Sequence, residues 1–247
     1  VKALTTKPVV GVGRYTSPDR MAGLVRRGVL DLIGAARSSI ADPFLPKKIE
    51  EGRADEIREC IGCNICRSGN NEGAPIRCTQ NPTMGEEWRS GWHPEVITGK
   101  TSDDAVLVVG AGPSGLEAAR ALGQRGYAVT LAEAGDALGG HVLNESRLPG
   151  MASYQRVVEH RLAAFNKLPN VETYLASDLS AEQVIAFEAR HIVLATGAAW
   201  RRDGVGCSRR TALPIAASVP AIFTPDDIFA GKIPGDGPVL VYDDERY

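Results

Sequence analysis

The spacing of four cysteines is the feature of this sequence most suited to chemistry. Three of them recur at every third position, and the fourth follows after eleven intervening residues: Cys60, Cys63, Cys66 and Cys78. A tight Cys-x2-Cys-x2-Cys loop lets three thiolates converge, and a returning segment supplies the fourth ligand of a [4Fe-4S] cluster. Structural zinc, which usually takes two separated Cys-x2-Cys pairs, is one alternative, and unrelated thiols are another. The sequence therefore predicts a [4Fe-4S] site on these cysteines.

Composition limits the class of protein and its setting. The 247 residues are 43% hydrophobic with a formal net charge of -2, which is typical of an α/β protein and gives no reason to expect a nucleic-acid partner. The longest apolar runs, residues 105–109 and 216–223, are far shorter than the about 20 residues of a membrane span. Nothing at the N-terminus resembles a signal peptide, so we expect reduced thiols in the cytoplasm, Cys207 among them.

The elements before the cysteines alternate strand, helix, strand, helix. Strands are predicted at residues 7–13 and 29–35, a helix begins at Ser17 with proline in its first turn, and a second helical segment covers residues 47–53. The chain begins with Val1 rather than methionine and soon enters a strand, so we interpret it as an internal segment of a larger protein.

Two arginines stand at the C-terminal ends of these predicted strands. Arg14 follows Gly13, and Arg37 follows Ala36. In a (β/α)8 barrel the loops after the last two strands often bind phosphate, and an arginine can make a forked, charge-assisted contact to it. Because most arginines at strand ends are simply solvated, the spacing alone leaves both interpretations open.

A glycine-rich turn between a strand at residues 105–109 and a helix at residues 116–125 indicates a dinucleotide-binding site. The first glycine permits the tight turn, the second lets the backbone approach a pyrophosphate, and the third lets the helix pack closely on the strand. The phosphates would lie at the helix N-terminus. The residues of this turn are Gly110, Gly112, Pro113, Ser114 and Gly115.

Later residues extend this nucleotide site. The next predicted strand, residues 127–132, ends at a glutamate that can bind ribose hydroxyls and disfavours a 2′-phosphate. Residues 139–140 form a second glycine turn, and residues 191–197 are predicted to be a buried strand that ends in small residues. His93 and His141 are interpreted as ordinary polar residues. The added members of the ADP or FAD site are Glu133, Gly140, Thr196 and Gly197.

Six stretches, in one order along the chain, carry a resemblance to a known family. They cover essentially the whole chain, and residues 78–95 are the most specific part. The chain resembles the trimethylamine dehydrogenase group of the old-yellow-enzyme-related NADH:flavin oxidoreductases. The stretches are Gly-Val-Gly-Arg-Tyr-Thr-Ser-Pro-Asp (11–19), Ala-Arg-Ser-Ser-Ile-Ala-Asp-Pro-Phe-Leu-Pro (36–46), Glu-Cys-Ile-Gly-Cys-Asn-Ile-Cys (59–66), Cys-Thr-Gln-Asn-Pro-Thr-Met-Gly-Glu-Glu (78–87), Gly-Trp-His-Pro-Glu (91–95) and Val-Gly-Ala-Gly-Pro-Ser-Gly-Leu-Glu-Ala-Ala-Arg (109–120).

This resemblance implies an α/β fold class with three parts. Residues 1–55 would be the last two βα units of an FMN-binding TIM barrel, residues 56–103 the iron–sulfur segment and linker, and residues 104–247 a Rossmann-like domain, truncated at its C-terminus, that binds ADP or FAD. The substrate pocket and catalytic residues of the family would precede Val1, so no catalytic residue is expected here and this segment alone is not expected to oxidise an amine. The residues implied for the FMN phosphate are Gly13, Arg14, Ala36 and Arg37.

For the complete enzyme, the resemblance implies oxidative dealkylation or deamination of a small methylated amine by a homodimer. Electrons would pass from FMN to the [4Fe-4S] cluster and on to an electron-transferring flavoprotein. Two alternatives remain open. One is a 2,4-dienoyl-CoA reductase-like enzyme that takes electrons from NADPH, and the other is a non-catalytic module that only binds the cluster and a nucleotide.

The C-terminal residues bear on the direction of electron flow. A further strand is predicted at residues 238–243, where a reductase of this family would begin its nicotinamide site. When this strand is aligned on the first glycine turn, Asp243 and Glu245 take the places of two glycines, and carboxylates oppose pyrophosphate binding. This favours the dehydrogenase, although the same residues could form a solvated acidic turn.

Overall fold

The structure, a computed structural model, describes residues 1–71, 73, 75–91, 93, 96–206, 208–214 and 222–243. The chain divides into two compact units, Val1–Thr196 and Gly197–Tyr247. The domain boundaries predicted after residues 55 and 103 lie within the first unit and stay predictions. Cys207 and Glu245, on which two sequence interpretations depend, lie outside the described residues.

The elements of the first quarter of the chain alternate as the sequence predicts. They are β1 (Val10–Val12), α1 (Pro18–Arg26), β2 (Leu32–Gly34), α2 (Arg37–Ala41), α3 (Leu45–Glu50) and α4 (Ile65–Asn71). β1 and β2 pair in parallel, with Val12 opposite Gly34, and α1 connects them. Proline opens α1, although the Ser17 side chain makes no capping hydrogen bond. Both strands are shorter than predicted, because only three residues of each pair with the other.

A small apolar cluster and a buried ion pair hold these elements together. Asp42 Oδ2 lies 2.8 Å from Lys48 Nζ, and both side chains are buried. The same carboxylate accepts hydrogen bonds from the backbone N–H groups of Phe44 and Arg58. A buried charge requires such partners, so Asp42 is the polar centre of this region. The apolar members are Met21, Leu45 and Ile57.

Asp42→Ala is expected to destabilise the fold by about 3–5 kcal/mol, the range for removing one partner of a buried ion pair. The substitution leaves the Lys48 ammonium buried without its carboxylate and removes the acceptor of two N–H groups. Chemical unfolding followed by circular dichroism measures the loss. Glu51→Ala is the matched control: its partners Lys47 and Arg53 are exposed, so it should cost less than about 1 kcal/mol. Equal losses in the two variants would contradict this account.

A four-stranded parallel sheet completes the first unit. Its elements are β3 (Val106–Val109), α5 (Pro113–Arg125), β4 (Val129–Ala132), α6 (Val142–Glu145), α7 (Arg156–Phe165), β5 (Val171–Tyr174), α8 (Ala181–Ala186) and β6 (His191–Leu194). The strand order is β5-β4-β3-β6. β3 has a neighbour on each side and every one of its residues is buried. α5 connects β3 to β4, and α7 packs beside α5. This is the Rossmann-like βαβ arrangement that the glycine spacing predicts.

Two sequence predictions about strands need correction. The strand predicted within residues 191–197 is present as β6 and ends before the small residues, but it is not buried: Ile192 and Leu194 are exposed, because its only partner among the described strands is β3. Residues 238–243 form no strand, and their apolar side chains are exposed. A strand needs a partner for its backbone groups as well as an apolar pattern, and the local sequence does not reveal that partner.

The second unit contains one helix within its described residues, α9 (Pro225–Phe229). Thr224 caps this helix, since its hydroxyl accepts from the Asp227 N–H while the Asp227 carboxylate accepts from the Thr224 N–H. Arg202 and Lys232 pair with the same carboxylate and hold its pKa well below the usual range. Across the described residues of both units, no helix is long and apolar enough to cross a membrane.

Candidate functional site

One pocket gathers the four predicted cluster ligands. It is partly open to solvent and is lined by Cys60, Cys63, Cys66 and Cys78 together with neighbouring residues. All four are free thiols. Among the described residues, no three side chains of the metal-binding types close on a single point. Four thiols at one pocket are the donor set that a [4Fe-4S] cluster requires, and the assignment of the ligands stays a prediction.

Left-handed turns shape the cysteine loop, residues 60–66. Gly62 has a φ of +78° and Asn64 a φ of +63°. Glycine adopts this region without a steric penalty, and asparagine is among the residues that tolerate it. A Cβ on Gly62 would lie only 1.3 Å from Arg14 Nη1. Glycine between the first two cysteines therefore permits the turn and also leaves room for the Arg14 guanidinium.

The returning segment supplies polar contacts to the thiols. Burial raises the pKa of Cys78, hydrogen bonds from the backbone N–H groups of Asn81 and Gln80 lower it, and the nearby Cys60 and Cys63 raise it again. Such N–H donors stabilise the thiolate that a metal ligand requires. The Thr79 hydroxyl lies 3.2 Å from Cys63 Sγ, so the segment contacts two different cysteines of the pocket.

Hydrogen bonds tie the cysteine loop to both flanking regions of the first unit. On the nucleotide side, Ser153 Oγ donates to the Ile61 carbonyl at 2.9 Å, and Arg156 Nη2 lies 3.0 Å from Glu59 Oε2. On the barrel side, the Thr16 hydroxyl donates to the same Glu59 oxygen at 2.7 Å. The loop is therefore held in place by residues far from it in sequence.

The two arginines predicted to bind phosphate lie against the cysteine loop. Because β1 and β2 are parallel neighbours, Gly13–Arg14 and Ala36–Arg37 follow them at the same edge. Arg37 Nη1 donates to Asn64 Oδ1 at 2.6 Å, and the Arg14 guanidinium packs on Gly62. Arg14 also has a φ of +51°, a region that few residues other than glycine adopt. Sequence spacing gave no sign of this contact with the loop.

The glycine turn has the geometry expected of a dinucleotide site. Gly110 has a φ of +95°, and a Cβ there would lie 2.4 Å from the Ala195 carbonyl oxygen. A Cβ on Gly115 would lie 1.8 Å from the Gly110 carbonyl oxygen, so helix and strand touch at this point. Gly112 differs, because a Cβ there meets nothing within 4 Å. It precedes Pro113 and Ser114, the first residues of α5, so the helix N-terminus faces open space.

Glu133 and the second glycine turn, residues 139–140, lie around the first glycine turn. Glu133 Oε2 accepts the Ala111 N–H at 2.6 Å, and Oε1 accepts the Gly135 N–H at 2.8 Å. A carboxylate has further acceptor sites for a ribose hydroxyl. The Gly139 N–H donates to the Ala111 carbonyl, and a Cβ on Gly140 would lie 3.0 Å from Gly112 Cα. Of the two remaining predicted members, Thr196 lies beside Gly110, and Gly197, with a φ of +79°, begins the second unit.

An ionic group that the sequence did not predict joins α5 to α7. We call it the arginine group: Glu117 lies between Arg120, at 2.5 Å, and Arg161, at 2.9 Å, and Arg58 is close enough to act on the same carboxylate. Burial alone would raise the pKa of Glu117, but the hydrogen bond and the charges of these arginines lower it. The Glu117–Arg120 spacing of three residues on a helix was the only local signal.

The pKa of His160 provides a test of the electrostatic field of the arginine group. Burial, followed by the charges of the three arginines and Lys48, lowers its pKa to about 4. An unfolded histidine takes up a proton near pH 6.5, so the unfolded state binds more protons between these values. Stability should therefore fall as the pH is lowered from about 6.5 toward 4, by on the order of 1–3 kcal/mol.

Urea unfolding across that pH range measures this effect. His160→Gln should make the free energy of unfolding less dependent on pH, because the variant lacks the group that takes up a proton over this range only in the unfolded state. His191→Gln is the control, since His191 is half exposed, and it should keep the wild-type profile. A wild-type slope in His160→Gln would show that another group is responsible.

Two family models match the chain. Residues 1–56 match the NADH:flavin oxidoreductase / NADH oxidase family, and residues 108–177 match the NAD(P)-binding Rossmann-like domain. The first match contains the two βα units, and the second contains the whole glycine turn. Together with the two parallel sheets, they confirm the predicted α/β fold with a TIM-barrel part and a Rossmann-like part.

Three known proteins are similar to most of the chain. The dimethylamine dehydrogenase of Hyphomicrobium sp. (strain x) is 46% identical over 94% of this chain and 32% of that protein. The structure of histamine dehydrogenase from Rhizobium sp. 4-9 has a TM-score of 0.90 and 57% identity, over 100% of this chain and 36% of that one. That of 6-hydroxypseudooxynicotine amine oxidase from Pseudomonas geniculata N1 has a TM-score of 0.86 and 53% identity, over 94% and 35%. The chain thus spans about a third of the length of these relatives.

Proposed function

We propose that this chain belongs to the trimethylamine dehydrogenase-like group of the NADH:flavin oxidoreductase family. On this premise, it is the electron-transfer part of an amine dehydrogenase. The observation that carries the proposal is the pocket lined by four cysteines, with two arginines from the barrel side against its loop. The complete enzyme would act on a small amine, the substrate class in the names of its dimethylamine and histamine dehydrogenase relatives.

The residues present fit the cofactors that this function requires. Four thiols and N–H donors suit a [4Fe-4S] cluster, two arginines at one edge suit the FMN phosphate, and open space at a helix N-terminus suits a pyrophosphate. The cluster ligands would be Cys60, Cys63, Cys66 and Cys78; the FMN phosphate would contact Gly13, Arg14, Ala36 and Arg37; ADP or FAD would contact Gly110, Gly112, Pro113, Ser114, Gly115, Glu133, Gly140, Thr196 and Gly197.

When bound, the cofactors would supply two-electron oxidation of the amine and one-electron transfer to an electron-transferring flavoprotein. The chain's own residues fix positions and charges. Arg37 supplies a cation that Asn64 orients, and Glu59 is fixed by Thr16 and Arg156 beside the first cysteine. We place this chemistry in a homodimer in the reducing cytoplasm, where thiols stay reduced.

Anaerobic stopped-flow mixing of the complete enzyme tests the proposed reaction. Dimethylamine or histamine should bleach the flavin absorbance, whereas NADPH should leave it oxidised, because in the proposed function electrons enter the enzyme from the amine. Rapid bleaching by NADPH and none by either amine would contradict the proposal in favour of the dienoyl-CoA reductase-like alternative. A stable chromophore that neither reagent reduces would instead support a non-catalytic module.

A further inference from the structure

A single side chain, that of Gln80, connects the arginine group to the cysteine pocket. Gln80, which is only 1% exposed, lines that pocket. Its Oε1 accepts a hydrogen bond from Arg161 Nη1 at 3.3 Å, and its Nε2 donates to the Glu59 carbonyl at 3.1 Å. Its backbone N–H donates to the Cys78 sulfur. Gln80 thus connects Arg161 to Cys78 and to the residue preceding Cys60.

Two buried arginines of the arginine group share one carboxylate. Arg120 and Arg161 are both buried and both contact Glu117, so in these contacts two positive charges face one negative charge. Guanidinium groups stay protonated in proteins. These arginines also act on His160, whose pKa is lowered first by burial and then by their charges. Buried charges are weakly screened, so the potential reaches neighbouring groups.

We propose that Arg161, acting through Gln80, raises the reduction potential of the group held by Cys60, Cys63, Cys66 and Cys78. The inference rests on the proposed function, in which these thiolates hold a [4Fe-4S] cluster. Charge near a cluster and hydrogen bonds to its sulfurs are established controls of cluster potential. Arg161 supplies the nearby charge. The backbone N–H of Gln80 supplies the hydrogen bond to sulfur, and the Gln80 side chain is fixed by its hydrogen bonds to Arg161 and to the Glu59 carbonyl.

The electron balance explains why a fixed cation is needed. Reduction moves one electron from a donor, reduced flavin in the enzyme or dithionite in a titration, to the cluster, and leaves it with one more negative charge. No bond breaks and no proton is transferred, since Arg161 is protonated before and after the step. The buried guanidinium therefore stabilises the reduced form more than the oxidised form. Arg161 is a positioning and charge-setting residue and not a catalytic one.

Potentiometric titration with dithionite, monitored by electron paramagnetic resonance, tests this in the purified protein. Arg161→Gln should lower the midpoint by about 59 mV, a tenfold change in the one-electron equilibrium. Arg161→Lys keeps the charge and should restore at least half of that shift. Glu117→Gln removes the opposing carboxylate and should raise the midpoint. A role in folding alone cannot shift the potential in opposite directions in two variants that both weaken the same ion pair.

Arg190→Gln is the matched control, because it makes the same change at a largely exposed arginine paired with Asp104; it should leave the midpoint unchanged. If every variant carries the wild-type iron content and Arg161→Gln and Glu117→Gln keep the wild-type midpoint, the inference is overturned while the proposed function stands. If the wild-type protein carries no iron, both are overturned. Should Arg161→Gln fail to retain iron, Arg161→Lys and Glu117→Gln test the inference instead. A raised midpoint in Glu117→Gln supports it, and an unchanged midpoint in that variant overturns it.

Discussion

Gly112→Val should abolish ADP binding while leaving the protein folded. A Cβ at this position meets nothing within 4 Å and the backbone is not left-handed, so the side chain has room in the free protein. The same space is where the pyrophosphate would approach the helix N-terminus. Losing two charge-assisted hydrogen bonds of about 1.5–3 kcal/mol each would lower the affinity roughly 100-fold or more. Isothermal titration calorimetry with ADP measures it.

Gly99→Val is the matched control for this experiment. Gly99 is exposed, and a Cβ there also meets nothing within 4 Å, so the variant should bind ADP as the wild type does. By contrast, Gly115→Val would place its side chain on the Gly110 carbonyl, and a loss of folding there would carry no information on the ligand. Unchanged ADP affinity in Gly112→Val would mean that the glycine turn is structural only.

The second large effect is expected for Cys63→Ser. A serine hydroxyl is a poor replacement for a thiolate ligand, and four ligands are needed to hold the cube. The variant should lose nearly all of its visible absorbance and most of its iron after anaerobic purification. Its sulfur lies 3.2 Å from the Thr79 hydroxyl, on the segment that carries Cys78. Absorbance and iron analysis measure it.

Cys207→Ser is the control for the cysteine variant, since the sequence leaves Cys207 outside the ligand set. It should keep the full wild-type colour and iron content. A brown Cys63→Ser protein with the iron content of the wild type would remove Cys63 from the ligand set and leave three thiols, too few for the proposed site.

Parts of the fold that depend on neighbours in sequence could be predicted. The turn from β3 into α5 is specified by glycines within six residues: Gly110 makes the tight turn and Gly115 the close helix–strand contact that their spacing predicts, whereas the role of Gly112 toward a pyrophosphate stays a prediction. The four cysteines were found in the same way, because three occupy one tight loop. In each case the residues of the candidate site lie in a short segment, so their spacing alone was enough to single them out.

Other features depend on residues that are distant in sequence. Arg161 meets Gln80 across 81 positions, and Arg37 meets Asn64 across 27; no spacing rule connects them. The exposed face of β6 was missed for a related reason, since an apolar run predicts a strand but not how many partners it has. The helix at residues 47–53 was placed two residues late at its start, because Leu45 and Pro46 already belong to α3.

The most direct test of the account is metal and sulfide analysis of the wild-type protein purified without oxygen. We expect a brown protein with about four irons and about four acid-labile sulfides per chain, which becomes paramagnetic when dithionite adds one electron. Such a result would establish that the pocket lined by Cys60, Cys63, Cys66 and Cys78 holds the cluster on which the proposed electron transfer depends. Stoichiometric zinc without iron or labile sulfide would contradict it and make the site a structural zinc site.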